Sequence, residues 1–289
     1  MTVAHPPVRA EYECLLEPFV DVVTQPRTSW MRRIADRGPL RKLAIVVVLA
    51  LVWEIVARVA GNDLLMPTFV QTARAFAADI ASGELLGKAA ISLGLLLEGY
   101  ALAIVIAFVF TALAISSRLG RDLLTTLTSM FNPLPAIALL PLALLWFGLG
   151  KTSLIFVLVH SVLWPLALNT FAGFQGVPET LRMAGRNYGL RGLRLTLFVL
   201  VPSALPAILS GLRVGWAFAW RTLIAAELFF GASSGQGGLG WYIFQNRNEL
   251  YTDRVFAGLA MVIVIGMLFE NLVFDTIERL TVRRWGVQR

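Results

Sequence analysis

Residues 89–115 read AAISLGLLLEGYALAIVIAFVFTALAI, and Glu98 is the one charged side chain in the run. At 1.5 Å rise per residue such a helix is about 40 Å long, more than the ~30 Å hydrocarbon core of a bilayer requires. A helix on the surface of a soluble domain keeps a polar face, and this stretch has none. It reads as a membrane span. Working outward, five more windows have the same character: 43–60, 123–147, 154–175, 199–230 and 255–274. The expected fold is all-α, a polytopic bundle of about six transmembrane helices. Proline interrupts the third window, at Pro133, Pro135 and Pro141, and the fifth, at Pro202 and Pro206. A proline removes a backbone donor and collides with the preceding turn. In lipid the freed carbonyls need protein or water partners, so the third span is expected to be kinked and packed inside the bundle.

Composition supports lipid as the solvent. Charged residues make up 15% of the 289, against about 25% in soluble domains. The mean hydropathy is +0.72. The net charge of +7 is distributed by loop. Arg32, Arg33, Arg37, Arg41 and Lys42 precede the first span; Arg118 and Arg121 follow the second; Arg182, Arg186, Arg191 and Arg194 follow the fourth; Arg279, Arg283, Arg284 and Arg289 follow the sixth. The alternate loops carry only Arg74, Lys88, Lys151, Arg247 and Arg254. The positive-inside rule then puts both termini in the cytoplasm. The basic excess is a topology signal, and no nucleic-acid partner is expected. Cys14 has no second cysteine to pair with. The first apolar run reads as a retained span, because a cut after Ala60 puts Arg58 where a signal peptidase needs a small residue.

The expected organisation is a cytoplasmic tail over 1–39, a transmembrane domain over 40–285 and a short tail over 286–289. The spacing predicts a surface helix over 68–81, begun at Pro67-Thr68 and ended by Ser82-Gly83.

Two stretches imitate nucleotide sites. Gly148-Leu149-Gly150-Lys151-Thr152 lacks the earlier glycine of a phosphate loop, Leu145 standing in its place, and apolar spans flank it. Residues 235–240, GQGGLG, match G-x-G-x-x-G without the strand–turn–helix setting that gives this pattern meaning, so a flexible turn is expected. The two histidines, His5 and His160, make no metal-ligand spacing with Cys14. The chain is therefore expected to be no enzyme and to hold no ATP site of its own.

The loop 176–196 is the most informative segment. Pro178 and Glu179 suit a first helical turn, residues 179–188 read as a short helix, and Gly189 is a left-handed terminator. Arg182 and Arg186 share one face. A basic helix tied to two spans is a suitable lever for a partner that changes shape.

Met183-Ala184-Gly185-Arg186-Asn187-Tyr188-Gly189, followed after nine residues by Val199-Leu200-Val201-Pro202, resembles the EAA–Gly–I-x-L-P signature of permease subunits of binding-protein-dependent ABC importers. Pro133-x-Pro135-x-x-Ala138-x-x-Pro141-Leu142, running into Trp146-Phe147-Gly148-x-Gly150, is similar to the third-span signature of the nitrate/sulfonate/taurine-type branch. Trp164-Pro165 with Asn169-Thr170, and Leu205-Pro206-x-Ile208-x-x-Gly211-Leu212-Arg213 with Trp220 and Ala225-Ala226-Glu227, resemble its fourth and fifth spans.

The resemblance implies the type I importer permease fold and a division of labour. Two permeases, as a homodimer or with a sister chain, surround a pathway. Two cytoplasmic ATPase subunits bind ATP and Mg and dock on the loop helices, and an external binding protein delivers the solute. Glu179, Arg182, Met183, Ala184, Gly185, Arg186 and Gly189 are the implied ATPase-coupling residues. Met183 stands where the signature has glutamate and Gly185 where it has its second alanine; Glu179 lies one turn earlier and can substitute. The implied mechanism is alternating access in the cytoplasmic membrane, with the prolines either flexing points or simply shaping helix packing.

Polar residues at membrane depth face a cavity or one another. Asn132, His160, Ser161, Asn169, Arg213 and Arg221 are candidate pathway residues, against a reading in which they only bond helix to helix. Arg213, Ala217 and Arg221 share one face, expected to be wet. The two arginines need anions, supplied by an oxyanion solute or by Glu227, Glu98 or Glu270. Trp216 and Trp220 read as packing. The rival function, an ion-gradient-driven secondary transporter, expects coupling acids at mid-span and internal repeats; Glu98 is the one good acid in the early spans.

Overall fold

The computed structural model describes residues 38–230 and 237–283. The expectations for the tail before Gly38, for Gly235 and for the C-terminal tail lie outside these residues. The chain divides into two units, Met1–Leu51 and Val52–Arg289. The described part of the first is the beginning of the first span.

Among the described residues every regular element is helical and there is no strand. The main ones, in chain order, are α1 (Gly38–Ala60), α2 (Phe69–Ala81), α3 (Glu84–Ser116), α4 (Arg118–Phe131), a 3-10 turn (Ala136–Leu139), α5 (Leu140–Phe147), α6 (Lys151–Gln175), α7 (Glu179–Asn187), α8 (Val201–Phe230), α9 (Leu239–Asn248) and α10 (Thr252–Leu268). A π-helical turn, Thr196–Leu200, leads into α8, and α10 continues through a second one, Phe269–Phe274. Five helices are long and apolar enough to cross a membrane, or six if the bent pair around Asn132 counts as one span.

The predicted surface helix is α2. Thr68 Oγ1 accepts from the Gln71 amide (3.2 Å) and Gln71 Oε1 accepts from the Thr68 amide (2.7 Å), a reciprocal cap that fixes where the helix starts. At the same end of the bundle, the Tyr242 hydroxyl of α9 donates to Asp79 of α2, and Arg254 lies 3.7 Å from the same carboxylate. Burial, reinforced by the Asp79 hydrogen bond, pushes the Tyr242 phenol well above its ordinary range.

The two proline-bearing spans come out differently. The third is not a kinked continuous helix: α4 and the Ala136–Phe147 segment meet at 89°. The connecting Asn132-Pro133-Leu134-Pro135 holds two residues without an N–H, so helix bonding lapses and a turn takes over, Leu134 N donating to Phe131 O. The fifth is a continuous helix from Thr196 to Phe229 despite Pro202 and Pro206. The π turn before Val201 takes up an extra residue there, with Val201 N donating to Thr196 O, and Ser203 Oγ donates to Val199 O at 2.7 Å.

α6 is the interior span, with Leu158, Val162, Leu166 and Ala167 buried against α3 and α8, and Val157 against α5 and α8. Close approach to α8 depends on small residues: a Cβ on Gly211 would lie 2.9 Å from Asn169 Cβ, and one on Gly215 would lie 3.1 Å from Val162 Cγ1.

Candidate solute pathway and coupling loop

α6, α8 and the broken segment after α4 enclose a cavity of about 390 Å³. Its polar lining is Asn132, His160, Ser161, Arg221 and Thr222, so four of the six expected pathway residues meet at one site. The rest of its wall includes the rings of Phe131, Trp164 and Phe218. Among the described residues no aspartate or glutamate lines it. Arg221 Nε donates to the carbonyl of Ala217, one turn back, and its guanidinium lies over the Phe218 ring at 4.8 Å. It has no carboxylate within salt-bridge distance among the described residues. Ser161 Oγ donates to Leu158 O, which leaves its lone pairs for the cavity.

The other two expected pathway residues lie elsewhere. Asn169 lines a second cavity of about 370 Å³, walled by α6 and α8 near the coupling loop, with Ser203, Pro206 and Pro178. Its amide donates to the carbonyl of Pro165. Arg213 lines neither of these cavities. It bonds Asp275 at 2.9 Å, Glu270 at 3.1 Å and Glu278 at 3.3 Å on the extension of α10. The expected wet face of Arg213, Ala217 and Arg221 is thus divided: Arg221 faces the cavity, and Arg213 is an ionic tie between α8 and the last helix. Of the three acids weighed as its partners, Glu270 is correct. Glu98 instead pairs with Lys151. Glu227, 3% exposed, accepts from Ser92 Oγ and from the Gly240 amide, both at 2.8 Å. Neither mid-span acid faces the cavity, so the feature a secondary transporter calls for is missing there.

The glycine-rich stretch before α9 owes part of its composition to that carboxylate. Side chains at Gly238 or Gly240 would run into Ser92, Glu227 and the carbonyl of Ile224. Both glycines are buried, and packing at the N-terminus of α9, which suits a carboxylate, replaces the flexible turn expected there. Trp216 stacks on Phe269 at 4.1 Å, and Trp220 donates to Val262 O, as expected of packing residues.

The coupling loop folds as α7, with Gly189 at φ +76° ending it and Leu190 N donating to Gly185 O. Pro178 is the residue before the first turn rather than in it. Arg182 turns back to the end of α6: Nη2 donates to Phe174 O at 2.6 Å and Nε to Val177 O at 3.4 Å, with Glu179 3.8 Å away. Gly185 is buried where a Cβ would lie 2.6 Å from Leu195 Cδ1 and 3.1 Å from Val199 Cγ2, at the foot of α8. Met183, Ala184 and Arg186 are exposed. So are Leu181 and Tyr188, the latter 87% exposed; these two were not among the expected coupling residues, and their signal was an apolar side chain on a short polar helix.

Comparison with known proteins agrees with this geometry. Residues 99–287 match the family model described as binding-protein-dependent transport system inner membrane component. A putative aliphatic sulfonates transport permease protein of Escherichia coli (strain K12) is 30% identical over 259 residues, 89% of this chain and 94% of the relative. The taurine transport system permease protein of the same organism is 36% identical over 150 residues, 52% of this chain and 53% of the relative. The nitrate import permease protein of Synechocystis sp. (strain ATCC 27184 / PCC 6803 / Kazusa) is 27% identical over 241 residues, 81% and 86% of the two chains. The chain belongs to the binding-protein-dependent transport inner membrane family: it is the multi-pass permease subunit of an ABC importer, a transport subunit that works with ATPase and solute-binding partners.

Proposed function

We propose that this permease carries a small oxyanion, a sulfonate such as taurine, nitrate or bicarbonate, through the cavity between α6, α8 and the break after α4. The observation that carries the reading is Arg221. It is a cation on the wall of a cavity that has no carboxylate and several neutral hydrogen-bonding groups, an arrangement complementary to an anion rather than a cation. Relatives named for sulfonate, taurine and nitrate transport support the solute class.

Two cytoplasmic ATPase subunits dock on the α7 helices of two copies of this chain and supply ATP and Mg chemistry. The exposed Leu181, Met183, Arg186 and Tyr188 supply a docking face on α7, with Glu179 at its first turn. A binding protein delivers solute at the end that holds α2 and α9. In this reading the chain crosses six times with α7 inside and both termini in the cytoplasm; the basic loops support it.

The test is uptake by the importer reconstituted with its ATPase and binding protein, with radiolabelled nitrate, taurine and bicarbonate. Arg221→Gln removes charge-assisted bonds worth about 1.5–3 kcal/mol, so uptake of the transported oxyanion should fall about 10- to 100-fold while ATPase subunits still copurify. Uptake at the wild-type rate by Arg221→Gln would overturn the reading.

A further inference from the structure

Three ring nitrogens on the cavity wall have no hydrogen-bond partner: His160 Nδ1, His160 Nε2 and Trp164 Nε1. All are shielded from solvent. Buried polar groups are nearly always paired, so a cluster of orphans needs an explanation. The neighbours offer none. Ser161 spends its hydroxyl proton on Leu158 O, and the ring contacts of the cluster are with Phe110 and Phe131.

The ring that contacts both side chains is Phe131; Phe110 meets Trp164 alone, at 6.2 Å between centroids. The Phe131 ring stacks on Trp164 (5.3 Å between centroids, 15° between planes) and stands edge-on to His160 at 6.2 Å, while His160 and Trp164 are 6.1 Å apart. Phe131 is the last residue of α4, directly before the break where the chain turns by 89°. Pro133 and Pro135 have no N–H to lose there, so rotation at this point breaks few backbone bonds.

We propose that Phe131 is a removable lid and that His160 and Trp164, beneath it, are solute-contacting residues. In the closed arrangement the ring covers their nitrogens. When the chain pivots in segment 132–135, the indole N–H and the imidazole N–H open onto the cavity beside Arg221. Two neutral donors and one cation then meet the charged oxygens of the solute, which only accept. The two orphaned nitrogens that carry a proton, one on His160 and one on Trp164, thus belong to a site whose partner, the oxyanion, arrives in the other state. This rests on the reading of the cavity as the solute route.

The chain has two histidines, so in a His5→Asn background His160 alone reports. The full chain in lipid nanodiscs is treated with diethyl pyrocarbonate, and carbethoxylation of the His160 peptide is timed by mass spectrometry. The lid predicts slow labelling of otherwise wild-type chain and at least tenfold faster labelling of Phe131→Ala. Phe131→Leu, which keeps apolar bulk without the stacked ring, should fall between them. An arm without any lid substitution uses the reconstituted importer: ATP with vanadate, which arrests the ATPase, should accelerate His160 labelling at least fivefold over the nucleotide-free complex. Equal labelling in wild type and Phe131→Ala, or no response to ATP and vanadate, overturns the lid. In uptake assays His160→Asn and Trp164→Phe should each raise the apparent KM for the transported oxyanion at least fivefold; an unchanged KM in both overturns the solute contacts. Unimpaired uptake by Arg221→Gln is a separate result, since it sinks the cavity as the solute route whatever the labelling shows.

Discussion

Arg182 was expected to face the ATPase, and its geometry makes it a tether instead. Its Nη2 donates at 2.6 Å to Phe174 O, a carbonyl in the last turn of α6 whose backbone bond from Val177 N is long, 3.5 Å. The Nε contact to Val177 O, at 3.4 Å, is long and adds little. A hydrogen bond from a charged donor contributes about 1.5–3 kcal/mol, and a cation at a helix C-terminus about 0.3–1 kcal/mol. The side chain is 28% exposed, so water replaces part of what is lost on truncation, and about 2 kcal/mol is a fair expectation for Arg182→Met. That is about 30-fold in the equilibrium for local opening of α7, since 1.36 kcal/mol is tenfold. Hydrogen exchange of the full chain in nanodiscs reads this directly: amides in 181–190 should exchange about 30-fold faster in Arg182→Met, and peptides from the middle of α6 should not change. Arg182→Lys, with one point donor in place of the fork, should fall near fivefold. In the assembled importer the same variant should still bind ATPase subunits but hydrolyse more ATP per solute moved. Exchange within twofold of wild type in Arg182→Met would refute the tether.

Two further outcomes follow from close contacts. Gly185→Ala should leave the apparent Tm of the detergent-solubilised chain within about 2 °C, because turning the Leu195 methyl away costs about 1 kcal/mol and the gain in helix propensity is about the same; Gly185→Leu, which cannot be accommodated without moving α7, should cost about 1–3 kcal/mol and weaken ATPase copurification. Tyr242→Phe leaves Asp79, 4% exposed, without its hydroxyl donor and should lower the Tm at pH 7. The native Tyr242 pKa lies above the unfolded value near 10, so the wild-type contribution is complete below pH 10 and is lost as pH rises beyond it. Thermal scans from pH 7 to 11 should therefore show a shallower alkaline decline in Tyr242→Phe than in wild type.

What the sequence disclosed followed from local physics. Apolar run length located the spans, and turn chemistry located α2 and α7 to within a residue or so, because capping and left-handed glycine are short-range effects. The difference between the third and fifth spans was not legible. Both hold prolines, and what separates them is that Pro133 and Pro135 sit two apart, whereas the π turn before α8 accommodates Pro202, a matter of hydrogen-bond register. The pathway residues were legible as a set of polar residue types. Their grouping was not, since Arg213 and Arg221 lie two turns apart on one helix and only the fold puts the acids of the α10 extension against the first. The role of Arg182 was hidden for the same reason: a basic residue on a loop helix looks alike whether it points outward or back to the preceding span.

The arrangement has a mechanical consequence. α7 is held to the end of α6 by Arg182 and to the foot of α8 by the close approach at Gly185, and α6 and α8 are walls of both cavities. α8 is also tied through Arg213 to the extension of α10. A force on the exposed side of α7 therefore moves these elements together. Beyond the break, Leu140 and Ala143 pack on Leu154 and Val157 of α6 and on Ala226 of α8, and Ser153 Oγ donates to Ala143 O, so α5 belongs with α6 and α8; residues 132–135 themselves make no side-chain hydrogen bond or ion pair to either helix among the described residues. Movement of the α6–α7–α8 body that pivots in 132–135 is then movement relative to α4 and the Phe131 ring at its end. The wall carrying His160, Trp164 and Arg221 slides beneath the ring that covers two of those residues. The two arrangements need differ by only a few kcal/mol for nucleotide at the docked ATPase to choose between them. Unpaired nitrogens in the covered state narrow that difference, because uncovering them lets water or solute supply the missing bonds.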